Sequence, residues 1–158
     1  MIYTFMDSPV GRLLLARDDA GIAIISFDGA PLSDWTRSDA SFDDARSQLR
    51  AYFANELREF DLPLAPRGTS FQLDVWNALR AIPYGETRSY AQLAKTIGRP
   101  NAVRAVGAAN GANPLPIVVP CHRVIGSNGS LTGFGGGLTA KRYLLDLELY
   151  GGKNFNPA

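Results

Sequence analysis

Ser89-Tyr90-Ala91-Gln92-Leu93-Ala94-Lys95-Thr96-Ile97-Gly98-Arg99-Pro100-Asn101-Ala102-Val103-Arg104-Ala105-Val106-Gly107-Ala108-Ala109-Asn110 carries two helix signatures back to back. Ser89 and Gln92, three residues apart, fit a capping box that opens a short helix running to about Ile97. Gly98-Arg99-Pro100 stops that helix and turns the chain into a second, from Asn101 to about Asn110. Two short helices joined by a tight glycine-containing turn are the outline of a helix-turn-helix. The second helix is unusual for a reader of the major groove, which needs several long polar side chains for base edges. Here alanine, valine and glycine surround a single arginine, Arg104. Two readings stand for this segment. One is an alanine-rich core helix. The other is a minor-groove helix in which Ala102, Ala105 and Gly107 let the backbone approach closely, while Arg104 reaches in where a base has been displaced.

Downstream, the apolar run Ile117-Val118-Val119 leads into Pro120-Cys121-His122-Arg123-Val124-Ile125, which holds the only cysteine and the only histidine of the 158 residues. A lone cysteine is usually a small buried hydrophobe. Side by side with the one histidine, it reads as a nucleophile with its base, presented on a rigid extended segment. Asn113-Pro114 marks a turn before that segment, and Glu148 falls on a final helix. Upstream, Thr69-Ser70-Phe71-Gln72 fits another capping box, followed by the helical stripe Phe71, Val75, Trp76, Leu79 and Ile82 that Pro83-Tyr84-Gly85 ends.

The first part reads differently. Ile2–Met6, Arg12–Ala16 and Ile22–Phe27 are short β-prone runs separated by Ser8-Pro9-Val10-Gly11 and Asp18-Asp19-Ala20-Gly21. Ser41 is placed to cap a helix whose Phe42, Ala45, Leu49, Tyr52 and Phe53 recur at helical spacing. The prolines and glycine of 61–68 set a boundary, giving a domain over residues 1–66 and another over 67–158. The expected class is α/β in the α+β sense: a small three-stranded antiparallel sheet with a helix, then a mostly helical domain containing the helix-turn-helix.

Composition excludes several chemistries. One cysteine permits no intramolecular disulfide and no resolving thiol, and one histidine argues against the common metal clusters, so no metal and no cofactor is expected. No secretory leader and no apolar run near the ~20 residues of a membrane span is evident, which places a free thiol in a reducing cytoplasm, away from membranes. A net charge of only +1 means that any nucleic-acid contact comes from a local patch.

Pro120-Cys121-His122-Arg123-Val124, preceded by Arg104-Ala105-Val106-Gly107 and Asn113-Pro114 and followed by Gly135-Gly136-Gly137-Leu138 and Leu144-Leu145-Asp146-Leu147-Glu148, resembles the O6-alkylguanine-DNA alkyltransferases, specifically the bacterial methylated-DNA–protein-cysteine methyltransferases. The likeness runs from Thr69 to about Tyr150; the first part shares only the family's layout. The resemblance implies DNA repair by direct reversal. An alkyl group would pass irreversibly, once per molecule, from O6-alkylguanine (less efficiently O4-alkylthymine) to the protein's own Cys121. The partner it implies is double-stranded DNA holding the lesion, bound through the minor groove by a monomer with its target base flipped out.

Carried onto these residues, Cys121 is the acceptor, His122 takes its proton through a water, and Glu148 holds the imidazole. Asn113 ties the bend between helix and active-site segment. Tyr90 donates its hydroxyl to the guanine ring as charge leaves the oxygen. Arg104 fills the gap left by the extruded nucleotide, with Ala102, Ala105 and Gly107 against the groove. Val124 reads the base through its backbone, and Phe134, Gly135 and Gly136 form the loop beside it. Some relatives carry a serine where this chain has Gly135, and backbone N–H groups would replace that hydroxyl. The cysteine and histidine zinc ligands of certain relatives are missing from the first domain. Three other classes fit parts of the pattern: a cysteine hydrolase, a non-catalytic lesion-binding relative, which would lack Cys121, and a plain helix-turn-helix regulator.

Overall fold

The computed structural model describes residues 1–151, and the chain divides into two compact units, Met1–Arg67 and Gly68–Ala158. The first holds strands β1 (Ile2–Met6), β2 (Leu13–Arg17), β3 (Ile22–Phe27) and β4 (Thr36–Arg37) and the helix α1 (Asp43–Phe53). The sheet order is β3-β2-β1-β4. β2 pairs antiparallel with both neighbours, and its Leu13, Leu14, Leu15 and Ala16 are buried, as suits a central strand covered on both faces. The β2–β3 turn closes when the Asp18 carboxylate accepts from the N–H groups of Ala20 and Gly21 at 2.8 and 3.2 Å. Gly21 has φ +156°, and a Cβ there would lie 2.5 Å from the Pro63 carbonyl. That close approach lets residues 63–65 run beside β3, with Ile22 N–H donating to Pro63 O and Ala65 N–H to Ile22 O, both at 2.8 Å.

Two features of this unit differ from the sequence reading. The expected three antiparallel strands are joined by a fourth, β4, which pairs parallel to β1 over two residues and is too short to show a periodicity. Ser41 caps nothing; its hydroxyl meets that of Ser38 at 2.7 Å, and a 3₁₀ turn, Ala40–Phe42, feeds α1 directly. Asp43 and Asp44 in the first turn of α1 supply the negative charge that its N-terminus favours.

The second unit holds α2 (Ser70–Arg80), β5 (Arg88–Ser89), α3 (Tyr90–Thr96), α4 (Val103–Gly111), β6 (Val124–Ile125) and α5 (Leu138–Tyr150). Both capping boxes form: Thr69 and Gln72 exchange side-chain bonds to backbone N–H, as do Ser89 and Gln92. Gly98 takes φ +75° in the turn between α3 and α4, a conformation that glycine adopts without steric penalty. α2 buries Val75, Trp76 and Leu79, and the Trp76 indole donates to the Ala109 carbonyl at 2.9 Å, fixing α4 against α2.

The segment around Cys121 is not the extended strand the sequence suggests. Cys121–Arg123 is a 3₁₀ turn, and only Val124–Ile125 is strand, pairing parallel with β5. The reason lies in Pro114, Pro116 and Pro120, which remove the donors a ladder needs. The apolar run instead coils, with Ile117 at φ +77° and Val119 N–H donating to Leu115 O at 2.8 Å. Its side chains still serve the core, since Leu115, Ile117 and Val119 are buried.

Candidate active site

Cys121 is a free, buried thiol, 5% exposed. Asn113 braces the loop before it. Its Nδ2 donates to the Val119 carbonyl at 2.8 Å and its Oδ1 accepts from Leu115 N–H at 3.0 Å, so one side chain ties both ends of the coil. Asn110, buried on α4, sets its Nδ2 3.5 Å from the Cys121 carbonyl. Burial pushes the Cys121 thiol up from its ordinary value, while the Asn113 amide and the Lys141 charge pull the other way.

His122 and Glu148 face each other in the interior. His122 Nε2 lies 2.6 Å from Glu148 Oε2, with side-chain exposures of 0% and 1%. An ionised carboxylate only accepts, so Nε2 carries the proton and Nδ1 holds the lone pair. Nδ1 is buried and has no hydrogen-bond partner in the protein, which leaves it as the basic atom of the site. Burial pushes His122 down from its ordinary value, against the pull of Glu148. Burial alone would raise Glu148, but its bonds to His122 and Arg123 outweigh that and hold it well below the usual carboxylate range.

Two cations complete the site. Arg123 grips Glu148 with a fork, Nε to Oε1 at 2.8 Å and Nη2 to Oε2 at 3.0 Å, while Nη1 donates to the Ile82 carbonyl at 2.6 Å. Lys141 is fully buried, and its Nζ donates to the carbonyls of Val124 at 2.6 Å and Thr132 at 2.8 Å. It therefore links the strand after Cys121 to the glycine-rich loop. Burial lowers the Lys141 pKa, and the nearby cysteine partly restores it. Sequence reasoning gave no role to Arg123, Lys141 or Asn110. The signal for Lys141 was present, because 141, 144, 145 and 148 repeat at i, i+3, i+4 and i+7, the spacing of one buried helix face.

The remaining residues lie along an open face. Arg104 and Ala105 are exposed on α4 and Ala102 and Gly107 half-buried, while Val106, Ala109 and Asn110 turn inward. The Tyr90 hydroxyl meets Thr132 Oγ1 at 2.9 Å, and a Cβ on Gly107 would stand 3.8 Å from the Tyr90 ring. Small residues on α4, Tyr90 and the loop that follows β6 are thus neighbours. In that loop Phe134 and Gly136 are half-buried and Gly135 is exposed. The Val124 carbonyl already accepts from Lys141, which leaves its second lone pair for any further donor. Among the described residues no group of three or more histidine, cysteine or acidic side chains is placed to hold a metal ion.

A buried thiol next to a histidine–carboxylate pair, in the same unit as a helix-turn-helix, points to a DNA-directed protein that carries its own nucleophile. The family described as "6-O-methylguanine DNA methyltransferase, DNA binding domain" matches residues 70–150, and its companion, "6-O-methylguanine DNA methyltransferase, ribonuclease-like domain", matches residues 1–66, so the chain belongs to the 6-O-methylguanine DNA methyltransferase family. The first part therefore carries the family's sequence pattern as well as its layout. A methylated-DNA–protein-cysteine methyltransferase of Methanosarcina acetivorans is 52% identical over 153 residues, covering 94% of this chain and 98% of the relative. One of Mycobacterium bovis is 53% identical over 150 residues, covering 92% and 91%. The crystal structure of Mycobacterium tuberculosis OGT in complex with DNA matches with a TM-score of 0.90 at 52% identity, covering 94% of this chain and 93% of that one.

Proposed function

We propose that this chain repairs DNA by direct reversal, taking the alkyl group of O6-alkylguanine, and less efficiently of O4-alkylthymine, onto Sγ of Cys121. The observation that carries this reading is the buried 2.6 Å contact between His122 and Glu148 immediately beside the only cysteine, in a member of this family. The thiol proton passes through a water to His122 Nδ1, and Glu148 supports the positive charge across Nε2. Sγ then bonds the alkyl carbon, the carbon–O6 bond breaks, and its electron pair moves into the guanine ring. Tyr90 donates a hydrogen bond to the ring as that charge develops. Asn113 keeps the loop in register, and Lys141 offsets the thiolate. A thioether forms and no second thiol exists to resolve it, so each molecule acts once.

Residues 67–158 form the domain that binds DNA and performs the chemistry, and 1–66 form a separate folded domain. α4 enters the minor groove on its small residues Ala102, Ala105 and Gly107, with Arg104 in the gap of the flipped base. Val124, Phe134, Gly135 and Gly136 border the base. The protein works as a monomer in the reducing cytoplasm, without metal or cofactor. Among the described residues no helix is long and apolar enough to cross a membrane.

The test is mass spectrometry after mixing with O6-methylguanine DNA. One methyl group per molecule, on the Cys121 peptide, is expected. Cys121→Ser takes none yet keeps its DNA affinity, since phosphate contacts supply most of that affinity. Sustained turnover beyond one equivalent overturns the reading.

A further inference from the structure

Arg123 has no assigned part in the chemistry above, yet its guanidinium makes three buried hydrogen bonds within the site. Both of its fork bonds go to Glu148, the third goes to the Ile82 carbonyl, and its guanidinium lies 5.7 Å over the Tyr84 ring. Oε1 of Glu148 is further held by Gly85 N–H at 3.3 Å. The carboxylate that faces the imidazole is therefore pinned at both oxygens and already matched by a full positive charge.

This differs from a simple base–carboxylate pair. A carboxylate with no other partner raises the proton affinity of a neighbouring imidazole, by about 1–3 pK units at contact distance. A bidentate guanidinium acts against that field, and the Arg123 charge lowers the proton affinity of His122 while Glu148 raises it. The imidazolium has a second handicap here, because its Nδ1–H would be buried with no acceptor in the protein. The charged and titratable groups around His122 are few. Glu148 and Lys141 face it from α5, Arg123 and Cys121 from its own turn, and the charged residues of α2, Asp74 and Arg80, are exposed.

We propose that Arg123 is a positioning residue that orients Glu148 and offsets its charge, so that the guanidinium sets how readily His122 accepts the thiol proton. This rests on the alkyl-transfer reading for its purpose but not for its measurement. A base that is protonated too readily is occupied before the thiol can use it, and Arg123 keeps the Nδ1 lone pair open toward lower pH. The fork also keeps Oε2 aimed at Nε2, which holds the ring in one orientation and Nδ1 directed away from Glu148.

The chain's single histidine makes the experiment direct, since one imidazole gives one set of ring ¹⁵N signals. In the parent protein these should titrate below the ordinary imidazole value, with the neutral ring's proton on Nε2. Arg123→Met should move the titration upward by about one unit or more, and the acid limb of the methyl-transfer rate should move with it. A histidine titration in Arg123→Met that superimposes on the parent's overturns the proposal. Arg123→Lys keeps the charge but not the fork. Its titration should stay near the parent's while transfer at the plateau pH slows about tenfold, and a rate equal to the parent's overturns the proposal whether or not the methionine variant folds. Because the titration needs no substrate, it still reads Arg123 if the parent fails to take up methyl, an outcome that would sink the alkyl-transfer reading instead.

Discussion

The two units bury different things. Up to Arg67 the interior is apolar, built on Leu13, Leu14, Leu15, Ile22, Ile25, Leu49 and Tyr52, and the one buried polar side chain is Thr4, whose hydroxyl donates to Asp39 at 2.6 Å. Beyond it the same kind of core, Val75, Leu79, Leu93 and Leu144, encloses Asn110, His122, Arg123, Lys141 and Glu148. Burying an unpaired charge is very unfavourable, and even a paired one gains little over an apolar replacement. Five polar or charged groups inside one small unit are not there for stability. The difference separates a part with an almost wholly apolar interior from a part that accepts polar burial around a thiol, an imidazole, a carboxylate and two cations.

The sharpest way to break this comparison is to leave the buried network half complete. Glu148→Ala strands Arg123 and His122 in the interior, and the expected loss is about 3–5 kcal/mol of stability together with all methyl transfer. Denaturant unfolding and stoichiometric methylation check both. A loss under about 1 kcal/mol would mean that the network is wetter than its burial indicates.

Leu15→Ala in the sheet is the counterpart. It should remove about 2–5 kcal/mol, as large-to-small core changes do, yet the fraction that stays folded should methylate at the parent's rate. A slowed reaction at full occupancy of the folded state would show that the first unit does more than fold.

The smallest effect expected is the pH dependence. Because burial lowers the pKa of His122, the unfolded chain binds a proton below about pH 6.5 that the folded chain refuses, so stability falls as the pH drops below that value. Glu148, also lowered in the fold, withdraws its contribution further into acid. At the other end the raised Cys121 means that the unfolded thiol ionises first, and stability declines above about pH 8.5. Hydrogen exchange at pH 7 and pH 5 should show protection lost earlier at Val75 and Leu79 than at Leu14 and Leu15. Equal loss in both units would erase the contrast.

Local rules made much of this fold readable from residues alone. Thr69 with Gln72 and Ser89 with Gln92 announce two helix starts, and both boxes form because each involves only four consecutive residues. Ser41 obeyed the same rule on paper, but a 3₁₀ turn already supplied the start of α1. The coil before Cys121 has the apolar run of a strand, but its three prolines outweigh that pattern and keep it out of a ladder. In the site, the adjacency of Cys121 and His122 is visible in any string of letters. The Glu148 contact spans 26 positions, and the motif resemblance pointed to it before any geometry did. Arg123 and Lys141 stayed hidden because a charged side chain is normally solvated, and only packing reveals that these two are not.

The ladder between β5 and β6 is two residues long, Arg88 to Val124 and Ser89 to Ile125. Ser89 is followed at once by Tyr90, and Val124 stands three positions after Cys121. Those few backbone bonds work as the pivot of a caliper, setting the span between the hydroxyl on one arm and the sulfur on the other. With so short a pivot, the opening of the jaws is a property of the main chain rather than of any side chain. Changes on either helix can therefore alter what the jaws grip without altering how far apart they stand.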